Sequence, residues 1–196
     1  MDDRAGGDSR AAAMARSVAS AALAHGLESA DLDLVNRACA LALEPRIARL
    51  DDDQHPAYLH PGRSVLVLLQ DVGPLPGVAL AAAAVLESQD RKLRLPVERV
   101  SEELGEGVAA SVSTIPCPGD DRLVERLIGL GADLALAALA ERLDNLRHLH
   151  LREDLKAVWP DHHKEVTTAW LPFAQRVHPR IAIRFTHWAR TFVKRI

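Results

Sequence analysis

Cysteine is scarce in this chain, aromatic residues make up only 4% of it, and no apolar run approaches the ~20 residues that a membrane-crossing helix needs. With Cys39 and Cys117 alone and no Cys-x-x-Cys pair, neither a disulfide scaffold nor a zinc knuckle is available, and the two thiols read as packed side chains. Nor does one sign of charge dominate. The formal net charge of the 196 residues is -3, which argues against nucleic acid or an anionic membrane as partner of the whole chain and leaves any basic site to be local. The opening Met1-Asp2-Asp3-Arg4 lacks the basic-then-apolar order of a secretory signal, so the cytoplasm is the expected compartment.

What is present is the composition of one soluble domain, 48% hydrophobic and 26% charged. Residues 1–10 read as a loose tail, and Ala11 to Ala24 as a helix stopped at Gly26, so 1–27 form a tail with an extra helix ahead of a domain over 28–196. Ser29 or Asp31 is positioned to cap a second helix, in which Leu34, Val35, Ala38, Cys39 and Leu41 share a face. It ends near Pro45 or continues kinked to Leu50. After a loop at 51–56, Pro61 launches a helix through Gln70, and Val78 to Leu86 is so apolar and small that it should be buried nearly all round. A polar loop at 88–95 precedes two short helices, Pro96 to Leu104 and Gly107 to Ser113. Asp120 or Asp121 should cap a helix to Leu130, Ala132 to His148 is strongly helical, Asp161 should cap a helix to Val177, and Pro179 opens the last. No stretch alternates as a strand does. The expected fold is an all-α bundle of orthogonally packed helices.

Polar residues concentrate in three places: Tyr58-Leu59-His60-Pro61, the Glu87-Ser88 break after the buried helix, and Glu141 to Arg147. Glu141, Asp144 and Asn145 stand at i, i+3 and i+4, so one helix face brings two carboxylates and an amide together. Joined by His60 and Glu87, this is a donor set of the kind that ligates Mn²⁺, Mg²⁺, Fe²⁺ or Zn²⁺. By spacing alone, Glu141, Arg142, Asp144 and Arg147 are more often a solvated helix face with local ion pairs, with Arg142 pairing to Glu141 or Asp90. Glu87 sits at the helix end where a carboxylate is disfavoured, which calls for a partner. The last helix carries Arg180, Arg184, Arg190, Lys194 and Arg195 with no acid, while Ile181, Phe185, Trp188 and Phe192 repeat at helical spacing. An aromatic stripe docked on the bundle with the basic face in water is preferred there to contact with an anionic surface.

The order of these segments resembles the HD-domain hydrolase of the RelA/SpoT alarmone family over residues 28–190, and the all-α HD-domain-like bundle is what that resemblance implies. Pro56-Ala57-Tyr58-Leu59-His60-Pro61 is similar to the family's Pro-Tyr-x-x-His-Pro segment, with the Tyr displaced by one position. Ala82 to Ser88 falls where the family carries Ala-Leu-Leu-His-Asp, and Leu139-Ala140-Glu141-Arg142-Leu143-Asp144-Asn145-Leu146-Arg147 is similar to Leu-Ala-Asp-Arg-Leu-His-Asn-Met-Arg. Trp170-Leu171-Pro172-Phe173-Ala174 resembles the family's Tyr-Ala-Pro-Leu-Ala. The synthetase domain has no counterpart, as in hydrolase-only members.

The resemblance implies one divalent metal, Mn²⁺ in the family, at His60, Glu87 and Glu141, with Asn145 and Arg147 on the nucleotide side; Asp90 and Asp144 are the nearby candidate bases, and Arg91 is a further candidate contact for a phosphorylated purine nucleotide. Its activity is 3'-pyrophosphate removal from guanosine tetraphosphate. Four departures bear on that expectation. The His-Asp pair is Glu87-Ser88, and the Asp of Leu-Ala-Asp-Arg is Glu141. The family's Glu-Asp pair falls on Arg91-Lys92, and its Arg-Lys-Ser on Asp51-Asp52-Asp53, which inverts the charge there. The expectation is therefore weak or absent metal binding and alarmone hydrolysis, the alternative being a non-catalytic nucleotide-sensing or protein-interaction module. Association with a second copy stays open.

Overall fold

The computed structural model describes residues 4–49 and 57–196. Among them the chain is all-α, with no strand. The helices are α1 (Arg4–Ala24), α2 (Ser29–Leu43), α3 (His60–Asp71), α4 (Gly77–Val85), α5 (Val97–Leu104), α6 (Glu106–Thr114), α7 (Leu123–Ile128), α8 (Ala132–His148), α9 (Trp159–Glu165), α10 (Leu171–Val177) and α11 (Pro179–Phe192). Asp51-Asp52-Asp53 lies outside the described residues.

Several helix limits differ from expectation. The first helix begins at Arg4, not Ala11, because a helix once nucleated extends through polar residues when no proline stops it. After α2 the chain tightens into a 3₁₀ turn over Glu44–Arg49, as Pro45 without an N–H requires. The loop at 88–95 contains a 3₁₀ turn over Arg91–Leu93, capped by Asp90 through the Lys92 N–H. Neither Asp120 nor Asp121 caps α7. Arg122, in the left-handed region at φ 59°, precedes it, and Asp120 accepts the Cys117 N–H instead. Asp161 lies inside α9, which starts at Trp159 with Pro160 in its first turn. Between α9 and α10 the helix continues as a π segment, Val166–Trp170, where the Leu171 N–H reaches back to the Val166 carbonyl. Pro172 follows directly, and its ring cannot sit under a regular α-helical carbonyl.

Helix α4 is the centre of the bundle, buried at Gly77 and from Ala79 to Val85, with α2, α3, α6 and α8 packed around it. Its small side chains allow this. A Cβ on Gly77 would stand 2.4 Å from Asp31 Oδ1 and 2.8 Å from Asp31 Cβ, so α2 and α4 meet closer than a side chain permits. Helix α11 lays Ile181, Phe185, Trp188 and Phe192 into the bundle, as its stripe implied. Trp188 donates its indole N–H to the Leu146 carbonyl at 2.6 Å and stacks on Phe192 at 4.5 Å, fastening α11 to α8. Each fully buried side chain of this size contributes about 1.5–3 kcal/mol. This packing brings the start of α3, the turn after α4 and the middle of α8 to one place.

Candidate functional site

Six charged side chains collect at that junction, five of them buried: Arg46, His60, Glu87, Glu141 and Asp144. Arg63 completes the group from a half-buried position one turn after His60. Glu141 and Asp144 come from α8, on the face that the i, i+3 spacing predicted. His60 is the first residue of α3, and Glu87 and Ser88 follow α4.

The cluster has two halves. In the first, His60 Nδ1 lies 2.8 Å from Asp144 Oδ2, and Arg63 Nε donates to both Asp144 oxygens at 2.9 and 3.1 Å. In the second, Arg46 Nη2 donates to Glu87 Oε2 at 2.8 Å, and the Gln89 and Asp90 N–H groups donate to Glu87 Oε1 at 3.0 and 2.9 Å. Glu141 lies between them. It accepts the Ser88 N–H at 2.7 Å and the Ser88 hydroxyl at 2.8 Å, and takes the Asn145 amide at 2.6 Å. His60 Nε2 makes no hydrogen bond among the described residues and faces Glu141 Oε1 at 3.9 Å.

The electrostatics follow from burial opposed by pairing. Burial alone lowers the His60 pKa, but the Asp144 hydrogen bond and the charges of Asp144, Glu87 and Glu141 overcome it, so the pKa rises and the imidazolium is favoured. Burial alone raises Asp144, yet His60 and Arg63 hold it well below the usual carboxylate range. Burial pushes the Glu141 carboxyl up against the attraction of His60. Arg46 is lowered by burial, with Glu87, Glu141 and Asp90 opposing, and a guanidinium so paired keeps its charge.

Among the described residues, Arg46, His60 and Arg63 thus stand against Glu87, Glu141 and Asp144. Glu87 Oε1 and Glu141 Oε1 each accept two N–H groups, which uses both lone pairs, and the Arg46 charge sits on the remaining Glu87 oxygen. His60 Nδ1 is taken up by Asp144, which leaves Nε2 as its one open nitrogen. Among the described residues no three His, Cys, Asp or Glu side chains are grouped to hold a metal. The family's metal does not fit His60, Glu87 and Glu141 as they are arranged.

Of the remaining candidates, Asp90 caps its own turn, and Asp144, with its pKa depressed and both oxygens engaged, is a weak base. Asn145 turns inward to Glu141, whereas Arg147, two residues on, is exposed on another face, since i and i+2 do not share one. Arg91 is exposed. Arg94 donates to the Glu87 and Ser88 carbonyls at 2.7 and 2.9 Å and so pins the turn that carries both. Arg142 pairs with neither Glu141 nor Asp90. It lies fully buried, 3.2 Å from Glu165 Oε1 and from His162 Nδ1, and over the Trp170 ring at 5.8 Å. His148 is half-buried, with Nδ1 2.8 Å from the Asp144 carbonyl. The partner that Glu87 required is Arg46, which sequence reasoning missed along with Arg63. His60-x-x-Arg63 spacing was a signal for the second; Arg46 carried none, because its partner lies 41 residues away.

Comparison with family models, with curated proteins and with solved structures finds no match to this chain.

Proposed function

We propose that this chain is a non-catalytic binding module on an HD-hydrolase-like helical scaffold, in which a buried ion-pair cluster stands where the family's hydrolases keep their metal. The observation that carries the reading is the buried Arg46–Glu87 pair at 2.8 Å. A guanidinium there supplies the positive charge that a metal would supply, but it has no open coordination position from which to activate water. Glu141, clamped by Ser88 and Asn145, supports the same reading. A phosphorylated purine nucleotide, bound without turnover, is the ligand class the family resemblance suggests.

The test uses chelator-stripped protein, thermally unfolded with Mn²⁺, Mg²⁺ or Zn²⁺, with and without guanosine tetraphosphate, alongside an assay of pyrophosphate release. No metal-dependent rise in Tm and no release are expected. A rise lost in His60→Ala, with pyrophosphate released, overturns the proposal. A positive arm is the variant Arg46→Ala/Glu87→His/Ser88→Asp/Glu141→Asp, checked for helicity by circular dichroism, which should gain Mn²⁺ affinity by at least tenfold.

A further inference from the structure

On the opposite side of α8 from Glu141 a separate groove of about 590 Å³ runs between that helix and α11. Arg147 and His150 line it from the α8 side, and Arg184, His187 and Arg195 from the α11 side. Its floor is apolar, formed by Leu143, Trp188 and Phe192. No acidic side chain lines it among the described residues. Asp71 reaches Arg184 from α3 at 2.6 Å and neutralises that one cation. Arg147 and Arg195 make no ion pair among the described residues, so two guanidinium groups face the groove with their charge unspent.

Arg147 and Arg195 bring two cations to one concavity that no acidic side chain lines among the described residues, an arrangement that like-charge repulsion disfavours unless an anion is bound. We propose that this groove is a binding site for a small molecule bearing two or more phosphoryl groups. Arg147 and Arg195 each offer a planar fork suited to bidentate contact with a phosphoryl group. His150 and His187 add N–H donors between them, and the apolar floor accommodates an uncharged part of the ligand. The volume is that of a small-molecule site. The cations converge on a concavity, which favours a compact polyanion over a flat membrane or a duplex. The site rests on the lining of this groove and not on the buried cluster; it shares with the proposed function only Arg147 and a phosphorylated ligand.

The probe is inorganic tripolyphosphate, titrated into the full chain by calorimetry in metal-free buffer at low salt. One-site saturable binding is expected, with inorganic phosphate at least tenfold weaker. Arg147→Glu and Arg195→Glu should each weaken tripolyphosphate at least tenfold with Tm unchanged, because both side chains are exposed. Arg190→Glu, exposed on α11 but outside the groove, is the control and should change affinity less than twofold. Absence of saturable binding overturns the site. So does an equal loss in Arg190→Glu, which would mean diffuse attraction to the helix, or binding confined to anionic vesicles or duplex DNA. None of these outcomes bears on metal binding or hydrolysis, so the two proposals fail separately.

Discussion

His60 and Asp144 join the first residue of α3 to the middle of α8 through a 2.8 Å contact between side chains that are both buried. Arg63 grips the same carboxylate from the next turn of α3, so one anion holds two cations against one helix. Removing it takes that anion from both. Asp144→Ala should cost about 3–5 kcal/mol, the range for breaking a buried ion pair from one side. Urea unfolding measures the loss, and a cost below 1 kcal/mol would show that the pair is not closed in solution.

The same pair sets a pH response at both ends. The His60 pKa is raised, so its contribution is complete below the ordinary imidazole value and is lost as pH rises through the higher folded value. Asp144 is depressed, so its contribution is complete above the ordinary carboxylate value and is lost as pH falls through the lower folded value. His60→Gln should therefore flatten the alkaline decline in the urea midpoint above about pH 6.5. An unchanged slope would mean that His60 is neutral in the folded protein.

Arg46 and Glu87 give a clean cycle. Arg46→Leu leaves Glu87 as a buried carboxylate without its cation and should cost about 3–5 kcal/mol. Arg46→Leu/Glu87→Gln removes both charges yet keeps an oxygen for the Gln89 and Asp90 N–H groups, and should recover most of that loss. Coupling below 0.5 kcal/mol in the double-mutant cycle would dissolve the pair as a unit.

His162 titrates in the opposite sense to His60. Burial, then the nearby Arg142 charge, lower its pKa to about 4. Between pH 4 and 6.5 the unfolded chain takes up a proton that the folded chain does not, so stability falls as pH falls across that window. In His162→Gln that acid-side decline should be shallower, read from urea midpoints at pH 6.5 and 4.5. A steeper decline would mean that His162 is paired as a cation.

Close helix approach is testable at Gly77. Gly77→Ala places a methyl against the Asp31 side chain, including its stiff Cβ, so α2 or α4 must shift. The expected cost is about 1–3 kcal/mol by urea unfolding. A neutral result would show that α2 already lies farther away.

What this sequence determined alone is local. Its apolar periods, with glycines and prolines at the breaks, specify helices over most of the chain, and the Ala-rich run at 78–86 specifies that one of them is central. The stripe from Ile181 to Phe192 determined which face of α11 docks, and the i, i+3 spacing determined that Glu141 and Asp144 share a face. Only the tertiary structure decided what those carboxylates meet. Arg46 reaches Glu87 across 41 residues, His60 reaches Asp144 across 84, and Arg142 turns to Glu165 across 23. Helical periodicity encodes which way a side chain points, whereas an ion pair depends on where two distant helices cross. That crossing follows from packing around α4, and it turned a set of residues with metal-ligand chemistry into a buried, ion-paired cluster.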